Sequence, residues 1–136
     1  MKKITFILPA FVLSLLFGSA SCQQAAPSKD AAVSSVDAAD FKKLVDTQEG
    51  ILLDVRTPEE FNEAHIEGAL NIDFHGENFK ANLENLDKEK TYKVYCRSGK
   101  RSASSAEIMK EMGFKKVINL SGGILGWQEK GFEVVK

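Results

Sequence analysis

The residues with the most chemical potential stand together in one short run, Tyr95-Cys96-Arg97-Ser98-Gly99-Lys100-Arg101-Ser102. Cysteine acts as a nucleophile in its thiolate form, which nearby cations and inward-turned backbone N–H groups favour. Arg97, Lys100 and Arg101 place three cations within five residues of Cys96, and Gly99 permits tight curvature between them. A cysteine kept only for packing, a common fate of a buried thiol, needs neither cations nor a glycine turn. The pattern therefore predicts Cys96 as an attacking sulfur, with Arg97, Ser98, Gly99, Lys100 and Arg101 forming a cradle for an anionic substrate.

Such a cradle needs a strand before it and a helix after it. Tyr92-Lys93-Val94-Tyr95 reads as the strand, and Ser102 to Met112 as the helix, with Ala106, Met109 and Met112 on one face and Gly113 as its stop. Loops at the carboxyl ends of parallel strands are where ligands gather, and the following helix adds its positive end. Further strands are predicted at Ile51-Leu52-Leu53, Ala69 to Ile72 and Val117 to Leu120. Helices are predicted after Asp37, from Thr57 with Pro58 first and Glu60 closing a capping box, through Phe79, Leu83 and Leu86, and over Ile124 to Lys130. Short strands alternating with helices imply parallel pairing in a layered α/β domain.

The 136 residues suffice for one domain and not for two. The formal charge is −1, and −3 once Lys2 and Lys3 are removed, so a nucleic-acid partner is not expected. The two cysteines, Cys22 and Cys96, cannot fill a four-ligand zinc site, and His65 and His75 lack ligand spacing to them. No metal and no cofactor is expected. The opening segment has its own layout: Met1-Lys2-Lys3 is basic, Ile4 to Phe17 is apolar and too short to span a bilayer comfortably, and Gly18 to Ser21 are small. Residues 1–21 are thus predicted to be a secretory signal peptide.

Cys22 after Ala20-Ser21 resembles a bacterial lipobox, with Ser19 where an apolar residue is usual. The resemblance implies lipidation at Cys22, an anchored flexible tether over residues 22–35, and a domain over 36–136. The protein would then sit on the periplasmic side of a bacterial cell envelope and meet the membrane through its lipid alone. Cleavage without lipidation would instead leave it free in the periplasm.

The loop Cys96-Arg97-Ser98-Gly99-Lys100-Arg101-Ser102 also resembles the active-site loop of single-domain rhodaneses. Leu53-Asp54-Val55-Arg56-Thr57-Pro58-Glu59-Glu60-Phe61 with His65-Ile66-Glu67-Gly68-Ala69-Leu70-Asn71-Ile72 is similar to the family's upstream signature. Leu120-Ser121-Gly122-Gly123-Ile124-Leu125-Gly126-Trp127 is similar to the downstream one. The resemblance covers about residues 35–136. It implies an α/β/α sandwich around a five-stranded, mostly parallel sheet, with Asp54 as a loop anchor and His65 as a structural loop residue rather than a base. Arg56 is expected to pair with a carboxylate, Gly122 and Gly123 to shape a turn, and Trp127 to pack.

The implied activity is sulfur transfer. Cys96 would take the outer sulfur of a small anionic donor such as thiosulfate, carry it as a persulfide, and yield it to a thiol or cyanide, with ping-pong kinetics. Two alternatives remain from the residues themselves. One is a non-catalytic rhodanese-like binding or sulfur-carrier module. The other is a cysteine phosphatase, which uses Cys, five residues, then Arg, whereas here Arg101 comes one place early and Ser102 occupies that position.

Overall fold

The computed structural model describes residues 32–136. The predicted signal peptide and the proposed lipidation site Cys22 lie outside these residues. Ten elements follow one another: β1 (Val33–Val36), α1 (Ala38–Asp46), β2 (Ile51–Asp54), α2 (Pro58–Glu63), β3 (Leu70–Asn71), α3 (Phe79–Glu84), β4 (Thr91–Tyr95), α4 (Lys100–Glu111), β5 (Lys116–Leu120) and α5 (Gly123–Glu129). The five strands form one sheet in the order β1-β5-β4-β2-β3, and every neighbouring pair is parallel.

The central strands are apolar on both faces because both are covered. Along β4 the side chains alternate: Tyr92, Val94 and the following Cys96 face one core, and Tyr95 faces the other. The first core joins Leu53, Val55 and Val117 of the sheet region to Phe79 and Leu83 of α3 and Ala106 and Met109 of α4. The second joins Leu52, Ile118 and Leu120 to Phe41 of α1 and Ile124 and Trp127 of α5. Helices on both sides of a five-stranded sheet make the α/β/α sandwich that the sequence resemblance implied.

Two boundaries differ from expectation. The tether was placed over residues 22–35, but Val33–Val36 form β1, paired with Val117–Leu120 of β5. The segment Val33-Ser34-Ser35-Val36 is too short and polar to show strand periodicity, and as an edge strand it keeps both serines exposed. Its valines still reach inward, Val33 against the first core and Val36 against the second. The helix after the cysteine loop starts at Lys100, two residues earlier than predicted, because Gly99 turns the chain with φ of 104° directly into the first helical turn.

The predicted capping box is formed. Thr57 Oγ1 accepts the Glu60 N–H, the Glu60 carboxylate accepts the Thr57 N–H, and Pro58 opens α2. No described helix is long and apolar enough to cross a membrane.

Candidate active site

Strand β4 delivers Cys96 to the carboxyl edge of the sheet. The thiol is 1% exposed, at the floor of the loop between β4 and α4. The Gly99 N–H donates to Sγ at 3.1 Å, and the Ser102 hydroxyl, on the first turn of α4, lies 3.4 Å from the same atom. Burial raises the pKa of Cys96. The Ser102 hydroxyl and the backbone N–H groups of Ser102, Gly99 and Ser98 together outweigh it, so the net pKa lies below the ordinary thiol value. The thiolate is stabilised by hydrogen bonds to sulfur, with N–H groups arranged as for an oxyanion.

The loop keeps this shape because a second loop holds its carbonyls. The N–H groups of Ile124 and Leu125, at the start of α5, donate to the carbonyls of Cys96 (2.9 Å) and Arg97 (3.2 Å). With those carbonyls bound on the α5 side, the N–H groups of Ser98 and Gly99 are left to the sulfur. The approach is close enough to require glycine: a Cβ on Gly123, at φ of 59°, would lie 2.2 Å from the Arg97 carbonyl oxygen. The Gly122-Gly123 pair, expected only to shape a turn, therefore holds the cysteine loop.

Asp54 and Arg56 form a buried pair beneath the site. The Asp54 carboxylate accepts Arg56 N–H and Nε at 2.9 Å and Nη2 at 2.6 Å. Arg56 Nη2 also donates to the Ala64 carbonyl at 2.7 Å. This ties the end of β2 to the chain after α2, and the guanidinium stacks 5.6 Å from the Tyr95 ring. The Tyr95 hydroxyl accepts the Ile66 N–H at 3.0 Å. His65 stacks on Phe61 with ring centroids 3.8 Å apart and bridges Val135 through its backbone.

The loop cations divide into two groups. Arg97 and Lys100 are exposed and join no ion pair among the described residues. Arg101 does not offer a free charge to a donor as expected: its Nη1 and Nη2 grip the Glu60 carboxylate at 2.8 and 3.0 Å. Glu60 is the main residue that sequence reasoning missed. It was read as a capping residue, and its second bond reaches 41 positions along the chain. Ser102 was also missed, although its place on the first turn of the following helix was a usable signal.

A cleft of about 200 Å³ borders the loop on the Arg97 side, with Arg56, Glu60, Glu63, Leu125 and Gln128 among its walls. A wider cleft of about 670 Å³ is lined by Lys93, Ile66, Trp127 and Phe132 and includes none of the cysteine-loop residues.

Comparison with known proteins agrees with this geometry. A family model of the rhodanese-like domain matches residues 37–130. A sulfurtransferase of Allochromatium vinosum is 33% identical over 94 residues, covering 69% of this chain and 86% of that protein. A thiosulfate sulfurtransferase of Escherichia coli is 39% identical over 70 residues, covering 52% and 67%. A putative sulfur carrier protein of Bacillus subtilis is 43% identical over 91 residues, covering 66% of this chain and 48% of that protein. Among solved structures, a rhodanese-related protein of Thermoplasma volcanium superposes with a TM-score of 0.67 at 32% identity, over 75% of this chain and 97% of its own.

Proposed function

The chain belongs to the rhodanese-like domain family, and from that premise we propose that it transfers sulfane sulfur through a persulfide on Cys96. The observation that carries the proposal is the ring of N–H and hydroxyl donors around one buried sulfur with a lowered pKa. Sulfur transfer needs a thiolate to attack the donor and then a stabilised anionic sulfur to hold, and the same donors serve both states. Cys96 attacks the outer sulfur of a donor, the donor's remaining group departs, and an acceptor thiolate or cyanide then takes the sulfur from the persulfide. Asp54 and Arg56 act as supports that fix the loops, while Arg97 and Lys100 provide free positive charge at the rim.

The sulfur-carrier alternative shares the first half of this scheme, and an acceptor assay separates the two. Incubation of the protein with a sulfane donor should add the mass of one sulfur at Cys96, and cyanide should then remove it as thiocyanate with turnover. A stable adduct that no acceptor discharges would favour a carrier. Absence of any adduct would sink both readings. We also propose export and lipidation at Cys22. Intact mass of the membrane-fraction protein should show an acylated chain beginning at Cys22, and an unacylated mature start elsewhere would refute it.

A further inference from the structure

We infer that the wider cleft beside Lys93, which the cysteine loop does not line, is a second ligand site that takes a monocarboxylate with an apolar body. Lys93 stands where the strand pattern calls for an apolar residue. It lies mid-strand in β4, level with Leu52 of β2 and Ile118 of β5, on the sheet face that carries the second core. It is 4% exposed. Lysine is almost never buried this far without a carboxylate partner, yet Lys93 joins no ion pair among the described residues. Its Nζ donates one hydrogen bond, to the Leu44 carbonyl in the last turn of α1, at 3.1 Å. An ammonium carries three N–H donors, so two are left without an acceptor among the described residues. Burial lowers the pKa of Lys93, and the exposed Glu49 opposes that shift from beyond ion-pair distance.

The space beside this lysine suits an apolar body. At about 670 Å³ the cleft falls within the range of small-molecule sites. Leu52, Ile66, Trp127 and Phe132 give it apolar walls. The Trp127 indole N–H already donates to the Glu133 carbonyl at 2.9 Å, so its ring meets a ligand as apolar surface. The Phe132 ring packs edge-on against it, with centroids 5.0 Å apart.

Charge sets the rest of the occupant. The other cation of the lining, Lys42, is paired with Asp46, which leaves Lys93 to receive an anion. An adjoining cleft of about 380 Å³ shares Lys93 and adds the exposed Lys90 and Lys116 against Glu49, so the field at this end favours negative charge. A carboxylate offers two oxygens to the two free N–H groups of Lys93. The exposed Glu67 and Glu133 also border the wider cleft and disfavour a second negative charge on the ligand. One carboxylate with an uncharged apolar remainder meets all of these demands.

Octanoate is the probe, and Trp127, the single tryptophan of the chain, reads occupancy by its fluorescence. Titrated into the full chain at neutral pH, octanoate should saturate with a Kd below about 1 mM. 1-Octanol, which lacks the charge, should bind at least about tenfold more weakly. Octanedioate, with a second carboxylate, should bind at least about fivefold more weakly. Lys93→Met keeps an apolar stem and removes the ammonium. It should weaken octanoate binding at least about tenfold and leave octanol binding within about twofold. If that variant fails to fold, a diazirine analogue of octanoate irradiated with the unmodified chain should label the segments around Ile66, Trp127 or Phe132. The inference is overturned by a response that does not saturate, by octanol or octanedioate binding as tightly as octanoate, or by octanoate binding unmoved in folded Lys93→Met. Labelling confined to residues 4–17 or to the cysteine loop overturns it equally. None of these results touches sulfur transfer, which is read by loading of Cys96.

Discussion

At the scale of single residues, the protonation of Cys96 is set by donors to its sulfur and opposed by burial. Its lowered pKa means that the reactive fraction rises with pH through a midpoint below that of an ordinary thiol. Alkylation of Cys96 by iodoacetamide should follow that curve. Ser102→Ala removes one donor to the sulfur, so the midpoint should move up and alkylation below it should slow several-fold, by about 3 to 10 times. Cys96→Ser should abolish sulfur loading yet leave the thermal midpoint within a few degrees, since the replacement is smaller and keeps the same hydrogen-bond partners. The identity of this centre was legible because its evidence is local: a cysteine, a glycine and cations within six positions. Ser102 was overlooked because a serine in a helix start has an ordinary capping reading, and only the turn at Gly99 reveals that its hydroxyl meets the sulfur.

At the scale of elements, the start of α5 holds the cysteine loop and the start of α2 holds the first turn of α4. Gly123→Ala would force a Cβ into the Arg97 carbonyl at a positive φ. A loss of at least about 3 kcal/mol in chemical denaturation is expected, together with loss of sulfur loading. Glu60 joins α2 to Arg101, and that ion pair, with Thr57, lowers its pKa to about 2. A carboxylate held lower in the folded state than in the unfolded chain stabilises above its ordinary value, near 4.5, and loses that contribution as pH falls toward 2. Stability should therefore drop by about 1–2 kcal/mol across this window after allowance for solvent screening, and Glu60→Gln should flatten that part of the profile. Equilibrium unfolding at stepped pH checks both. The capping box was readable because Thr57 and Glu60 are three positions apart. The pair with Arg101 was not, because residue patterns carry no distance between separate elements.

At the scale of the whole molecule, the alternation of elements was enough to give a layered α/β domain, and four of the five strands were visible in it. The missing one, β1, has two serines in four residues and gains its structure from pairing with β5 rather than from its own pattern. A truncated chain beginning at Val36, the boundary suggested by sequence, would leave β5 as an unpaired edge and remove Val33 from the core. It should unfold about 2–4 kcal/mol more easily than a chain beginning at Ala32 and should aggregate at concentrations where the longer one stays monodisperse in light scattering. The direction of β1 carries a geographical consequence. Val33 is level with Val117 and, through β5, with Tyr92, whereas Cys96 lies four residues further along β4, about 13 Å toward the opposite pole. The described backbone therefore begins at one pole of the domain, and the loop over the buried sulfur lies at the other. A segment joined ahead of β1 thus attaches on the side away from the cysteine loop, and that loop can be approached without passing the point of attachment.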